Sequence, residues 1–84
     1  MNLESLRKEI DAIDDQMMDL FVKRMTISQA IGNIKKELKL PVLDSSREKN
    51  ILEKRKAALK NENLWPLYES FLKHLFELSK EHQR

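Results

Sequence analysis

The chain reads as an all-α protein of three helices, one of them very long, and three observations carry that reading. Its 84 residues include a single Gly and two Pro, and β-branched residues are few outside one apolar stripe. Stepping alternately by three and four from the N-terminus gives Leu3, Leu6, Ile10, Ile13, Met17, Leu20, Arg24, Ile27, Ile31, Ile34 and Leu38. All but Arg24 are apolar, the a/d signature of a helix covered along its whole length. Pro41 and the Asn61-Glu62-Asn63 run then divide the remainder into two shorter helical segments.

The first helix is expected from about Asn2 to Leu38, roughly 55 Å at 1.5 Å per residue. Asn2 or Ser5 caps it and Pro41 ends it. Gly32 falls inside it, where Gly costs about 1 kcal/mol relative to Ala. That glycine is either tolerated or required by the close approach of a backbone or ligand. Asp44 or Ser45 caps the second helix, and Ser45 with Glu48 has capping-box spacing. Ile51, Leu52, Arg55, Ala58 and Leu59 share one of its faces. The third helix starts around Leu64–Pro66, with Pro66 in the first turn, where its missing N–H is harmless. Tyr68, Phe71, Leu72, Leu75, Phe76 and Leu78 form its expected buried face.

Length and composition predict one domain over 1–84, with no repeat or linker. With 40% apolar and 36% charged residues the chain is folded rather than disordered. A core this small rarely stabilises a monomer by more than ~3–5 kcal/mol, and no cysteines are present to add cross-links. A long seam with so little cover calls for a homodimer. The net charge is +2, with lysines and acids interspersed, so no basic stripe marks a nucleic-acid groove. There is no run of eighteen apolar residues and no signal-peptide pattern, so a cytoplasmic protein without membrane attachment is expected.

Arg24 is the most informative single residue. Its guanidinium keeps its proton, and an unpaired charge inside a bundle costs several kcal/mol. No acid lies on the same seam, so either a carboxylate of another helix or a bound anion must meet it. Lys35 is three turns further on, about 16 Å along the axis and about 20° away in azimuth. Both side chains can converge on one small ligand. Arg7 lies about 25 Å from Arg24 along the same helix. In an antiparallel pair, Arg7 of one protomer slides toward Arg24 of the other, giving two equivalent sites built from both chains.

Arg47 and Glu48 extend the inward face of the second helix into its first turn. Ser79 and Gln83 continue the stripe of Leu75 along the third. Taken singly, Lys35 and Arg7 read more simply as solvated helix residues, Arg47–Glu48 as a surface pair or cap, and Gln83 as a frayed end. His74 and His82 have no Cys or acidic partner at ligand spacing, so they read as structural, and no metal is expected. Neither a nucleophile–base pair nor a phosphate loop is present.

Collected, three arginines, a lysine, a glutamate, a serine and a glutamine suit a small polycarboxylate, each arginine able to grip a carboxylate bidentately. Glu48 can accept a hydrogen bond from a hydroxyl. Lys35 and Gln83 can donate to an oxygen that becomes more negative in a transition state. Without a covalent catalyst, such a site suits a reaction needing a held conformation and electrostatic stabilisation.

The ordered pattern L-R-x-x-I-D-x-I-D (Leu6–Asp14), R-M (Arg24-Met25), Lys35, P-V-x-D-x-x-R-E (Pro41–Glu48) and S-x-x-x-Q (Ser79–Gln83) resembles the all-helical chorismate mutases over nearly the full chain. The resemblance implies an intertwined homodimer of three-helix protomers that converts chorismate to prephenate, with no cofactor. It implies that Arg7 of the partner chain, Arg24 and Arg47 hold the two carboxylates. Lys35 and Gln83 would bind the ether oxygen, Glu48 the ring hydroxyl, and Ser79 would assist at a carboxylate. Asp44 would line the site through its backbone, and Ile31 and Ile51 match apolar wall positions. One departure is that the chain stops one residue after Gln83, leaving the last turn little support. Isochorismate-pyruvate lyase, which shares the fold, and a non-catalytic helical dimer with regulatory or nucleic-acid-binding function are the alternatives. Nothing in the sequence marks a partner enzyme of the aromatic pathway.

Overall fold

Asn2 opens the longest element by accepting a hydrogen bond from the Ser5 amide at 2.8 Å, which satisfies one of the first-turn N–H groups. The computed structural model describes residues 2–84, so Met1, the first residue of the expected domain, lies outside them. Three α-helices follow in order: α1 (Leu3–Leu38), α2 (Ser45–Leu59) and α3 (Trp65–Gln83), with no strand among the described residues. None of the described helices is long and apolar enough to cross a membrane.

The helix ends show finer determinants than the prolines alone. α1 ends at Leu38, three residues ahead of Pro41, with Lys39 in the left-handed region at φ 57 and the Leu40 amide donating to the Lys35 carbonyl at 2.8 Å. This closure satisfies carbonyls of the last turn, and Pro41 only forbids a restart. α2 ends in the same way on Lys60, at φ 51. At its start, Asp44 accepts from the Arg47 amide at 3.0 Å. The Ser45–Glu48 capping box therefore does not form, because the cap falls one residue earlier on a carboxylate. Glu48 is left free to reach elsewhere. The Asn61 side chain accepts from the Leu64 amide at 3.1 Å, and Pro66 occupies the first turn of α3 as expected.

α3 is the element that packs against both of the others. Leu72, Phe76 and Ser79, at successive four- and three-residue steps, form its buried line, and α1 answers with Ser28 and Gly32. The rest of the expected buried face is only partly covered in the protomer. Phe71 and Leu78 are each 46% exposed, Tyr68 and Leu75 are half-buried, and Arg55 on α2 is exposed. Phe71, Leu75 and Leu78 instead line an apolar groove of about 660 Å³ with Met17, Met18, Leu20 and Phe21 of α1.

Along α1 the seam is bare from end to end: Leu3, Ile10, Leu20, Ile27 and Leu38 all stand more than half exposed. The protomer exposes 7229 Å², whereas a compact monomer of this mass exposes about 5,200 Å². Its radius of gyration is 15.9 Å, against about 12 Å for a compact domain of this length. So much uncovered apolar surface exceeds what a compact monomer of this size ordinarily exposes.

Candidate active site

The C-terminal half of α1, the start of α2 and the end of α3 meet around a cavity of about 380 Å³, within the size range of small-molecule sites. Every residue expected at the site except Arg7 lines it: Arg24, Ile31, Lys35, Asp44, Arg47, Glu48, Ile51, Ser79 and Gln83. Arg7 stands on the exposed N-terminal half of α1, about 25 Å from Arg24 along the helix. One protomer does not bring it in.

The helical repeat explains the convergence. Arg24, Ile27, Ile31 and Lys35 follow one another at three- and four-residue steps on α1, and so do Phe76, Ser79 and Gln83 on α3. On α2 the cap at Asp44 places Arg47 and Glu48 in the first turn, one turn ahead of Ile51.

Arg24 has no carboxylate within ion-pair distance among the described residues. Of the two alternatives for Arg24, a carboxylate of another helix is not found among the described residues. Its guanidinium donates instead to the Ser79 hydroxyl. Burial pushes the Arg24 pKa down, and the nearby positive charge of Arg47 pushes it further the same way. Both causes describe a cation held where it lacks a counter-ion, a setting that an anionic ligand relieves.

Lys35 is fixed at two of its three N–H bonds. Its ammonium donates to the Val42 carbonyl at 2.8 Å and to the Gln83 side-chain oxygen at 2.9 Å. A lysine can only donate, so the amide oxygen of Gln83 is the atom that faces it, and the Gln83 NH2 remains a donor. The pair thus presents one ammonium N–H and the two N–H bonds of the Gln83 amide with no acceptor among the described residues.

α3 stays helical through Gln83, whose backbone rests directly on Gly32. A Cβ on Gly32 would lie 2.6 Å from the Gln83 carbonyl oxygen and 2.7 Å from its Cα. Of the two readings of that glycine, close approach of a backbone is the one found.

Five lining residues, Ile27, Ser28, Val42, Phe76 and Lys80, are not among those the sequence places at the site. Val42 contributes a backbone carbonyl, which no side-chain pattern reveals. Ile27 was read as seam alone, yet it also lines the cavity. Lys80 bonds Glu48 at 3.2 Å and Glu77 at 2.8 Å. Its place four residues after Phe76, on the same side of α3, was the available signal. The lining therefore holds four cations, Arg24, Lys35, Arg47 and Lys80, against the carboxylates Asp44 and Glu48. The surplus is positive, and the remaining wall is largely aliphatic.

An all-α fold carrying a cationic, partly apolar cavity without a nucleophile defines a class of small-anion site. Comparison with known proteins narrows the class. The family profile of chorismate mutase type II matches residues 6–84, and the chain belongs to that family. It is 32% identical over 62 residues to a chorismate mutase of Methanocaldococcus jannaschii, covering 74% of this chain and 63% of that protein. It is 42% identical over 52 residues to a bifunctional chorismate mutase/prephenate dehydratase of Aquifex aeolicus, covering 62% of this chain and 14% of that one. The chain thus spans less than two thirds of the length of either relative. Among solved structures, a conserved hypothetical protein from Pyrococcus furiosus superposes with a TM-score of 0.80 at 43% identity, covering 98% of this chain and 95% of the other.

Proposed function

We propose that this protein is a chorismate mutase, rearranging chorismate to prephenate in a cavity completed by a second copy of the chain. The observation that carries the reading is Arg24, a desolvated cation without a carboxylate partner on the wall of a cavity. A dicarboxylate guest supplies the missing charge. In this reading Arg24 and Arg47 grip carboxylates, with Ser79 holding the Arg24 guanidinium in place. Glu48 accepts the ring hydroxyl, and Ile31 and Ile51 lie against the carbon skeleton.

The rearrangement is a Claisen reaction: the ether C–O bond breaks as a C–C bond forms, with no proton or electron exchanged with the protein. The ether oxygen gains negative charge as its bond lengthens. The free N–H groups of Lys35 and Gln83 then bind it more strongly than they bind the ground state, which lowers the barrier. Holding the side chain over the ring in a reactive geometry contributes the rest.

The test is turnover of chorismate by the purified protein, with isochorismate as the comparison substrate. Prephenate is the expected product, and pyruvate release from isochorismate alone would replace the mutase reading with the lyase one. Gln83 has no titratable proton, unlike a glutamate, which would donate only when protonated. Activity should therefore persist between about pH 5 and pH 8. A steep loss across that interval, with the fold intact by circular dichroism, would contradict the assignment of Gln83.

The dimer belongs to this proposal. The protomer exposes roughly 2,000 Å² more than its mass predicts, which is the scale of an obligate interface. Pairing two α1 helices antiparallel covers the seam and carries Arg7 of each chain toward Arg24 of the other. Light scattering should give about twice the 10.0 kDa chain mass. Arg7→Ala and Arg24→Ala should each be inactive alone. Refolded together in equal amounts, they form mixed dimers with one intact site, recovering about a quarter of wild-type activity for random pairing. A monomer, or no recovery on mixing, would rule out the shared site. A cytoplasmic location goes with this reading.

A further inference from the structure

We propose that Lys80 is a positioning residue for the substrate hydroxyl: bridged to Glu48, it holds that carboxylate clear of the arginines that bind the substrate. The inference rests on the mutase reading for its substrate and on the Lys80 geometry for its content.

Glu48 has neighbours that could capture it. Arg24, Lys35 and Arg47 line the same cavity, and a carboxylate free to turn among them would pair with one. Such a pair would neutralise a cation meant for the substrate and fill part of the cavity. The contacts found are different. Glu48 Oε2 lies 3.2 Å from Lys80 Nζ, across the junction of α2 and α3. Lys80 is itself tethered by Glu77 one turn earlier on α3, at 2.8 Å. The Lys80 side chain is 13% exposed and Glu77 is 68% exposed, so the tether reaches from solvent to the cavity wall.

The consequence is a carboxylate with divided duties. Oε2 is committed to the ammonium, and the lone pairs of Oε1 stay available to accept from a hydroxyl. The pKa of Lys80 is raised, chiefly by its hydrogen bond to Glu77 and also by Glu48, so the ammonium keeps its proton at neutral pH. Lys80 touches no reacting atom in this arrangement and acts through Glu48.

Two cyclic dicarboxylate inhibitors, identical except that one lacks the ring hydroxyl, separate this role from a structural one. Calorimetry should show that Lys80→Met weakens the hydroxylated compound by about 10- to 100-fold, the range for a hydrogen bond to a charged group. The deoxy compound should bind both proteins alike. In turnover, Lys80→Met should raise KM more than it lowers kcat, and Lys80→Arg should restore most of the loss. In a Glu48→Gln background, Lys80→Met should add little, because the group it positions is already gone. Equal weakening of both inhibitors, no weakening of either, or full additivity with Glu48→Gln would overturn the role. Failure of wild-type protein to turn over chorismate sinks the mutase reading instead, and the inhibitor comparison still decides Lys80.

Discussion

Arg24→Leu should leave the protein as stable as the wild type, or more stable by about 1 kcal/mol, while chorismate turnover falls by on the order of 10³ or more. The two effects share one cause. Arg24 occupies an a position in a seam whose other members are apolar, it is partly desolvated, and Arg47 repels it. Leucine there relieves both penalties and adds apolar area to the α1 stripe. What is lost is the hydrogen bond to Ser79, a residue only 7% exposed. The Ser79 hydroxyl can turn to the helix carbonyl four residues earlier, so this loss does not leave a buried orphan. Turnover has no such substitute if, as proposed, the guanidinium is the grip on a substrate carboxylate. Denaturant unfolding at several protein concentrations, alongside kcat/KM, reads both quantities. Parallel loss of stability and activity would mean that Arg24 is a structural element of the dimer. Ligand binding that survives Arg24→Leu would favour a non-catalytic module.

What the sequence disclosed depended on whether a residue acts through its place on a helix. The bounds of α1 follow from the apolar period and from Asn2, an acceptor positioned to cap the first turn. Arg24, Lys35, Ser79 and Gln83 could be found because three- and four-residue steps carry side chains to one face, whatever surrounds the helix. Asp44, Ile31 and Ile51 were reached through family resemblance rather than through their own chemistry. Val42 acts through a carbonyl in a loop, where sequence carries little geometry. The Lys80–Glu48 bridge depends on how closely α2 approaches α3, which no local pattern encodes. Asp44 and Ser45 are both competent caps, and their order along the helix axis decided between them. Phe71 and Leu78 show the remaining limit. An apolar pattern demands cover, yet it does not say whether this chain or a second copy provides it.

The other large effect is expected from a glycine behind the site, where α1 meets the end of α3. Gly32→Ala should reduce turnover by about 10²–10³, close to the loss from deleting the Gln83 side chain, with little loss of global stability. Alanine is the better helix former by about 1 kcal/mol, so local propensity favours the change. The new methyl carbon, however, would sit 2.6 Å from the Gln83 carbonyl oxygen and 3.0 Å from its carbonyl carbon. These are backbone atoms, so no rotamer change removes the overlap. The end of α3 is the softer side of this contact, since Gln83 is its last helical residue and α1 continues for six more beyond Gly32. The last turn of α3 is therefore expected to swing off α1 or to fray. Either movement separates Gln83 from Lys35, now 2.9 Å apart, and releases both donors from the place where the ether oxygen gains charge. Leu72 and Phe76, two or more turns away, keep the helices together. Steady-state kinetics of Gly32→Ala, Gln83→Ala and the double variant give the decisive comparison. If Gly32 acts through Gln83, the double variant is no slower than Gln83→Ala. Full activity in Gly32→Ala would show that Gly32 does not act through Gln83, and full activity in Gln83→Ala that Gln83 is dispensable for the rearrangement.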